Sequence, residues 1–74
     1  MTVKELFNGF RNWFDTITYQ VSPPTTGEFG TIKDKGNDEK EGNRSFLDRF
    51  EDYIVEDWEF LNYDNAMYLV IKKK

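Results

Sequence analysis

Hydrophobic residues in the first fourteen positions recur at the spacing of an amphipathic helix. The i, i+3, i+4, i+7 pattern is followed by Val3, Leu6, Phe7, Phe10, Trp13 and Phe14. Thr2 and Glu5 have the spacing of a capping box, in which each side chain bonds to the backbone N–H of the other residue. The pattern therefore predicts a first helix that begins after Thr2 and ends near Asp15.

The periodicity changes to two after this helix. Ile17, Tyr19 and Val21 fall on one side of an extended segment that stops at Ser22-Pro23-Pro24, because proline supplies no N–H to a β-ladder. This segment is the first predicted strand. Residues 28–33, flanked by glycines, are predicted to return beside it as a second strand.

The middle of the chain is highly charged. Residues 33–44 contain four basic and four acidic residues, two glycines and no apolar residue, so they are expected to form a flexible loop. Ser45 followed by Asp48 has the composition of a helix start, and an apolar stripe of helical period continues from it. A second helix is predicted from Phe46 to Ile54.

The last third of the chain has the pattern of a β-hairpin. In residues 55–61, Trp58 and Phe60 alternate with Asp57 and Glu59, and the spacing favours a place in the core for Trp58. A turn at 64–65 leads to a final strand, 66–72, which is apolar on both sides and should lie inside the sheet.

These elements predict a single α+β domain spanning residues 1–74. The predicted order is α-β-(β)-α-β-β, with two helices packed on one face of a small antiparallel sheet of three or four strands.

Composition narrows the chemistry available to this domain. The chain has 74 residues and contains neither His nor Cys, which excludes imidazole bases, thiolate nucleophiles, disulfides and the commonest zinc ligands. We therefore predict no enzymatic activity, no catalytic residue, no metal and no cofactor. A hydrolase that uses paired Asp or Glu residues stays as an alternative, but such a pair requires a cleft that raises one pKa. No signal-like or membrane-spanning apolar run is present, so we expect a cytoplasmic protein without membrane contact.

The net charge of −4 is unevenly distributed. Residues 45–64 contain seven acidic residues and one basic residue, whereas the final ten residues contain three lysines and no acid. On the predicted helix, Asp48, Asp52 and Glu56 would repeat every four residues on one face. The candidate partner-binding residues are Asp48, Glu51, Asp52, Glu56, Asp57 and Glu59, with Tyr53 and Tyr63 as aromatic anchors. Two interpretations are open, namely a solvated helix face and an acidic surface that replaces nucleic-acid phosphates on a basic partner.

Three segments together resemble small acidic proteins of phages and mobile elements of low-GC Gram-positive bacteria. They are Met1-Thr2-Val3-Lys4-Glu5-Leu6, Phe46-Leu47 through Tyr53, and the hairpin closing on Asp64-Asn65-Ala66-Met67-Tyr68-Leu69-Val70-Ile71. The charged segment 33–44 is longer than expected for that class. The resemblance implies an inhibitor of host defence, similar to anti-CRISPR proteins that block target-DNA recognition by an effector nuclease.

The leading hypothesis is a non-enzymatic inhibitor of a host nucleic-acid-binding effector nuclease, acting in the bacterial cytoplasm as a monomer or weak homodimer. Direct nucleic-acid binding is not expected, because the ten basic residues are outnumbered by fourteen acidic ones. The alternative is a small structural or regulatory interaction module that binds through an aromatic patch or pairs its sheet edge with another copy.

Overall fold

A computed structural model describes residues 1–10, 13–23, 27–34 and 41–73. Its elements are α1 (Val3–Asn8), β1 (Thr16–Ser22), β2 (Phe29–Lys33), α2 (Glu41–Phe50), β3 (Ile54–Leu61) and β4 (Ala66–Lys72). The predicted α+β class and element order are confirmed, including the second strand, which the sequence marks only with glycines and two apolar residues.

The four strands form a mixed sheet in the order β2-β1-β4-β3. Both hairpins, β1–β2 and β3–β4, are antiparallel, as predicted, but the central pair β1–β4 is parallel. The mixture arises because α2 connects one outer strand, β2, to the other, β3, so that β4 returns in the same direction as β1. The central strands are also the most buried, since the helices cover them along one side.

Both helices pack on one face of the sheet and enclose a core rich in aromatic rings. Phe46 and Phe50 of α2 lie over Tyr19 of β1, with ring centroids 5.3 and 5.0 Å from it. Phe7 of α1 stacks on Phe46 at 5.7 Å and meets Phe14 edge-on at 5.3 Å. Large rings of this kind bury enough area to stabilise a small domain that has no disulfide.

The start of α1 is as the sequence predicts. The N–H of Thr2 donates to Glu5 Oε1 at 2.9 Å, and the N–H of Glu5 donates to Thr2 Oγ1 at 3.2 Å, which completes the capping box. The hydrogen bond from the Thr2 backbone holds the pKa of Glu5 below its usual value.

The predicted end of α1 near Asp15 is wrong. The helix ends at Asn8, and Gly9 occupies the C-cap position, so Trp13 and Phe14 lie outside it. Phe14 is nevertheless buried, because its ring packs between those of Phe7 and Phe60. Apolar spacing identified a core residue here but not the element that carries it.

The predicted bounds of the second helix are also wrong. α2 begins at Glu41, within the predicted loop 33–44, and ends at Phe50, before the predicted end at Ile54. Lys33 closes β2, and residues 35–40 of that loop lie outside the described residues. A contact within the predicted loop supports the early start, because the carboxylate of Asp34 accepts a hydrogen bond from the Gly42 N–H at 2.5 Å.

Candidate functional site: the open face of the sheet

Only one face of the sheet is covered by the described helices. Strand register assigns the opposite face, because paired residues point their side chains to the same side. The side chains on this open face include Thr18 and Gln20 of β1, Phe29 and Thr31 of β2, Asp57 and Glu59 of β3, and Tyr68 and Val70 of β4. A shallow depression of about 530 Å³ lies on this face, lined by these eight residues and by parts of their neighbours.

The sequence produces this face by simple alternation. In β1 the residues with buried side chains, Ile17, Tyr19 and Val21, are separated by Thr18 and Gln20, which reach the open face. Across the first hairpin, the hydroxyl oxygens of Thr18 and Thr31 lie 3.4 Å apart. A polar floor of this kind accepts and donates hydrogen bonds without requiring a covering layer.

The two sides of the depression differ in chemistry. Asp57 and Glu59 line it on β3, and Glu59 is paired directly with Tyr68 of β4. Phe29 lies on the opposite side, on β2, with 75% of its surface exposed. The face therefore carries carboxylates at one margin, an aromatic ring at the other, and a tyrosine between them.

The predicted row of acids on one helix face does not form. Asp48 is exposed on α2, whereas Asp52 follows the helix in a turn and Glu56 lies on β3 at a β-bulge between Val55 and Asp57. Glu51 is half-buried in the same turn, where its carbonyl oxygen accepts the Lys4 N–H. Because α2 stops at Phe50, the four-residue spacing places these acids on different elements.

Asp57 and Glu59 are the two predicted site residues that the structure brings together. They lie two residues apart on an extended strand, so their side chains point to the same side. The Asp57 carboxylate also accepts the Trp58 N–H at 2.9 Å, which orients it at the sheet edge.

The predicted aromatic residues have different environments. Tyr53 is half-buried, and its ring meets that of Phe50 edge-on at 5.0 Å, so it belongs to the core margin. Tyr63 is 82% exposed in the turn between β3 and β4, remote from the depression. Trp58, expected in the core, is 44% exposed, because β3 is an outer strand; the ring of Phe10 lies edge-on to it at 5.9 Å.

Sequence reasoning missed Phe29 and Tyr68 as site residues. The signal for Tyr68 was the alternation of β4, in which Met67, Leu69 and Ile71 take the buried side. Phe29 had no such signal, because its exposure depends on the position of β2 at the sheet edge.

Within residues 1–10, 13–23, 27–34 and 41–73, no three acidic side chains come together as a possible metal site. Over the same ranges, no helix has the length and apolar character needed to cross a membrane.

Comparison of the chain with protein-family models, curated proteins and solved structures finds no match.

Proposed function

We propose that this protein is a non-enzymatic inhibitor that binds a nucleic-acid-binding effector of host defence, as an anti-CRISPR protein does. The proposal rests on one observation above all. Asp57 and Glu59 project together from the open face, beside a depression that holds an exposed tyrosine and an exposed phenylalanine.

The mechanism is competition for a basic surface. Carboxylates held on a rigid strand present negative charge to Lys and Arg residues that otherwise contact phosphates. Tyr68, which is paired with Glu59, adds a partly exposed ring on which an arginine side chain can stack. Hydrogen-bonding groups of Thr18 and Gln20 complete the contact area on the floor of the depression.

The dispersed acids supply a matched control. Asp48 and Asp52 are both exposed and carry the same charge as Asp57 and Glu59, but neither lines the depression. Reversal of either pair changes the net charge by the same amount, so any difference between the two variants reports location rather than overall charge.

The experiment measures inhibition of target-DNA cleavage by a panel of purified effector nucleases from Gram-positive hosts. The variant D57K/E59K should lose inhibition at least about tenfold, whereas D48K/D52K should retain most of it, because buried interface charges contribute far more than remote ones. Circular dichroism and thermal melting of both variants verify folding. Equal inhibition by the parent protein and folded D57K/E59K would contradict the proposal.

A regulatory interaction module is the second candidate, and the exposure of Phe29 is the observation that favours it. Binding through aromatic rings depends weakly on ionic strength, whereas competition through carboxylates weakens steeply as salt is raised. Affinity for a confirmed partner measured at low and high salt, for the parent and for Phe29→Ala, separates the two. Loss of affinity in Phe29→Ala with little salt dependence identifies the module.

A further inference from the structure

The two outer edges of the sheet are protected to different degrees. On the β3 edge, the N–H of Val55 donates to the Met1 carbonyl oxygen at 2.8 Å, and the Trp58 N–H is taken by the Asp57 carboxylate. A bulge between Val55 and Asp57 interrupts the same edge. Covering segments, bulges and charged side chains are the usual protections of an edge strand against pairing with another chain.

On the β2 edge, the hydrogen-bond pattern shows which backbone groups face outward. The Val21 N–H donates to the Glu28 carbonyl oxygen, and the Asp34 N–H donates to that of Asp15. In an antiparallel ladder, bonded and non-bonded pairs alternate, so Gly30 and Ile32 also turn their backbone groups toward β1. The N–H and C=O groups of Phe29, Thr31 and Lys33 therefore point away from the sheet.

Among the described residues, β2 has neither a bulge nor a covering segment, and Lys33 is the one charged side chain in the strand. Residues 29–33 contain no proline and no bulge, and their register with β1 is unbroken. In the described part of the chain, no backbone group pairs with the outward side of these residues. An edge of this kind is a template for strand addition.

We propose that β2 pairs in antiparallel orientation with β2 of a second copy of this chain, with a two-fold axis at Thr31. In this register Thr31 faces Thr31 of the other copy, and Phe29 faces Lys33 in both directions. All three outward residues of each copy then form bonded pairs, whereas a shift in register leaves some of them outside the strand.

The side chains are compatible with this two-fold pairing. On the open face, Lys33 of one copy lies beside the exposed ring of Phe29 of the other, an arrangement that favours cation–π contact and avoids a pair of like charges. On the helix side, Gly30 faces Ile32, so no two branched side chains oppose one another there, and the ring of Tyr19 fills the space over Gly30. The strand is thus complementary to itself along its length.

Dimerisation would join two four-stranded sheets into one continuous sheet and bring two open faces side by side. It leaves Asp57 and Glu59 at the distant edge of each copy, whereas Phe29 and Thr31, which also line the depression, enter the contact between the copies.

The experiment uses charge complementation at the two-fold axis, where position 31 of one copy faces position 31 of the other. The backbone N–H of Thr31 bonds to no group in the described part of the same copy. Thr31→Lys and Thr31→Glu each place like charges opposite one another, and each should weaken the dimer by about fivefold or more in Kd. An equimolar mixture of the two variants brings opposite charges together and should restore a heterodimer. Thr31→Val keeps the backbone groups and the charge and should dimerise like the parent. Sedimentation equilibrium up to about 1 mM protein, the range of weak edge contacts, measures the dimer Kd of the parent, of the three variants and of the mixture.

Recovery of dimer only in the mixture supports the proposal. A parent that stays monomeric over the whole range overturns it, as does a parent dimer that both charged variants leave unchanged. Amide hydrogen exchange provides a second measurement. The N–H groups of Phe29, Thr31 and Lys33 should gain protection as concentration rises, while the exchange of Trp58 at the other edge stays constant.

Discussion

Asn43 holds together three segments that are distant in the sequence. Only 1% of its surface is exposed, and its side-chain oxygen accepts the Phe14 N–H at 2.9 Å. Its amide nitrogen donates to the Phe14 carbonyl oxygen at 2.6 Å and to the Asp34 carboxylate. One buried amide therefore satisfies the backbone before β1 and ties it to the start of α2.

Asn43→Asp should destabilise the protein by about 2 to 4 kcal/mol, because the change keeps the acceptor but removes both donated hydrogen bonds and sets a new carboxylate against Asp34. Urea unfolding followed by circular dichroism measures the loss. Asn62→Asp, the same change at an exposed turn position, should alter stability by less than about 0.5 kcal/mol. Similar unfolding midpoints for the two variants would show that Asn43 does not have this structural role.

Individual side chains were predictable where alternation alone decides their side. Asp57 and Glu59 were assigned correctly to one side of a strand and Trp58 to the other. The exposure of Trp58 was not predictable, since it depends on how far α1 extends over the sheet. α1 stops at Asn8, and the ring of Phe10 beyond it meets the indole ring edge-on at 5.9 Å.

At the level of elements, the capping box was a reliable local signal, whereas the apolar stripes did not give the end of α1 or the bounds of α2. The capping box fixed the start of α1 because both partners lie within four residues. The start of α2 depends on Asp34 and, through Asn43, on Phe14. The residues immediately around Glu41 are therefore not sufficient to predict where the helix begins. The sequence pattern favoured Ser45 because Asp48 follows it three residues on and a second apolar stripe of helical period begins at Phe46.

The glycine at position 42 shows the same dependence on a neighbouring element. A Cβ atom there would lie 2.5 Å from Ile32 Cγ2 and 2.9 Å from Asp34 Oδ1, so α2 approaches β2 as closely as it does only with glycine at this position. Gly42→Ala should therefore destabilise the protein by about 1 to 3 kcal/mol through overpacking, although alanine gains about 1 kcal/mol in helix propensity. Chemical denaturation measures whether the free energy of unfolding falls or rises in this variant. Ser45→Ala, at an exposed position of the same helix, is the control and should be neutral or slightly stabilising. A stabilised Gly42→Ala variant would disprove close packing of α2 on β2.

Across the whole molecule, the fold class followed from the order of elements, but the surface did not. Seven acids in residues 45–64 suggested one acidic surface. The end of α2 at Phe50 and the bulge in β3 instead distribute them over a helix, a turn and a strand. Acidic residues that are close in the sequence share one surface only if tertiary contacts end each helix and strand at positions that bring them together.

The parallel pairing of β1 with β4 joins the two halves of the chain at the centre of the sheet. Residues 1–34 contain α1 and the first hairpin, whereas 41–73 contain α2 and the second. A second junction connects the halves at the start of α1, where the Val3 N–H donates to the Tyr53 carbonyl oxygen at 2.9 Å. Each half alone would expose the apolar side of a two-stranded hairpin, which is marginally stable at best in water.

Separate peptides 1–34 and 41–74 should therefore lack cooperative unfolding transitions and should fold when mixed, because each supplies one central strand and part of the core. Circular dichroism of the equimolar mixture should exceed the sum of the two separate spectra, and the melting temperature should rise with concentration, as bimolecular assembly requires. Replacement of Ile17 by Asp in the first peptide serves as the control. That side chain is fully buried beneath the helices, so the carboxylate should prevent assembly. Cooperative melting of either peptide alone would show that the hairpins fold independently, and the central pair would then not be the junction on which folding depends.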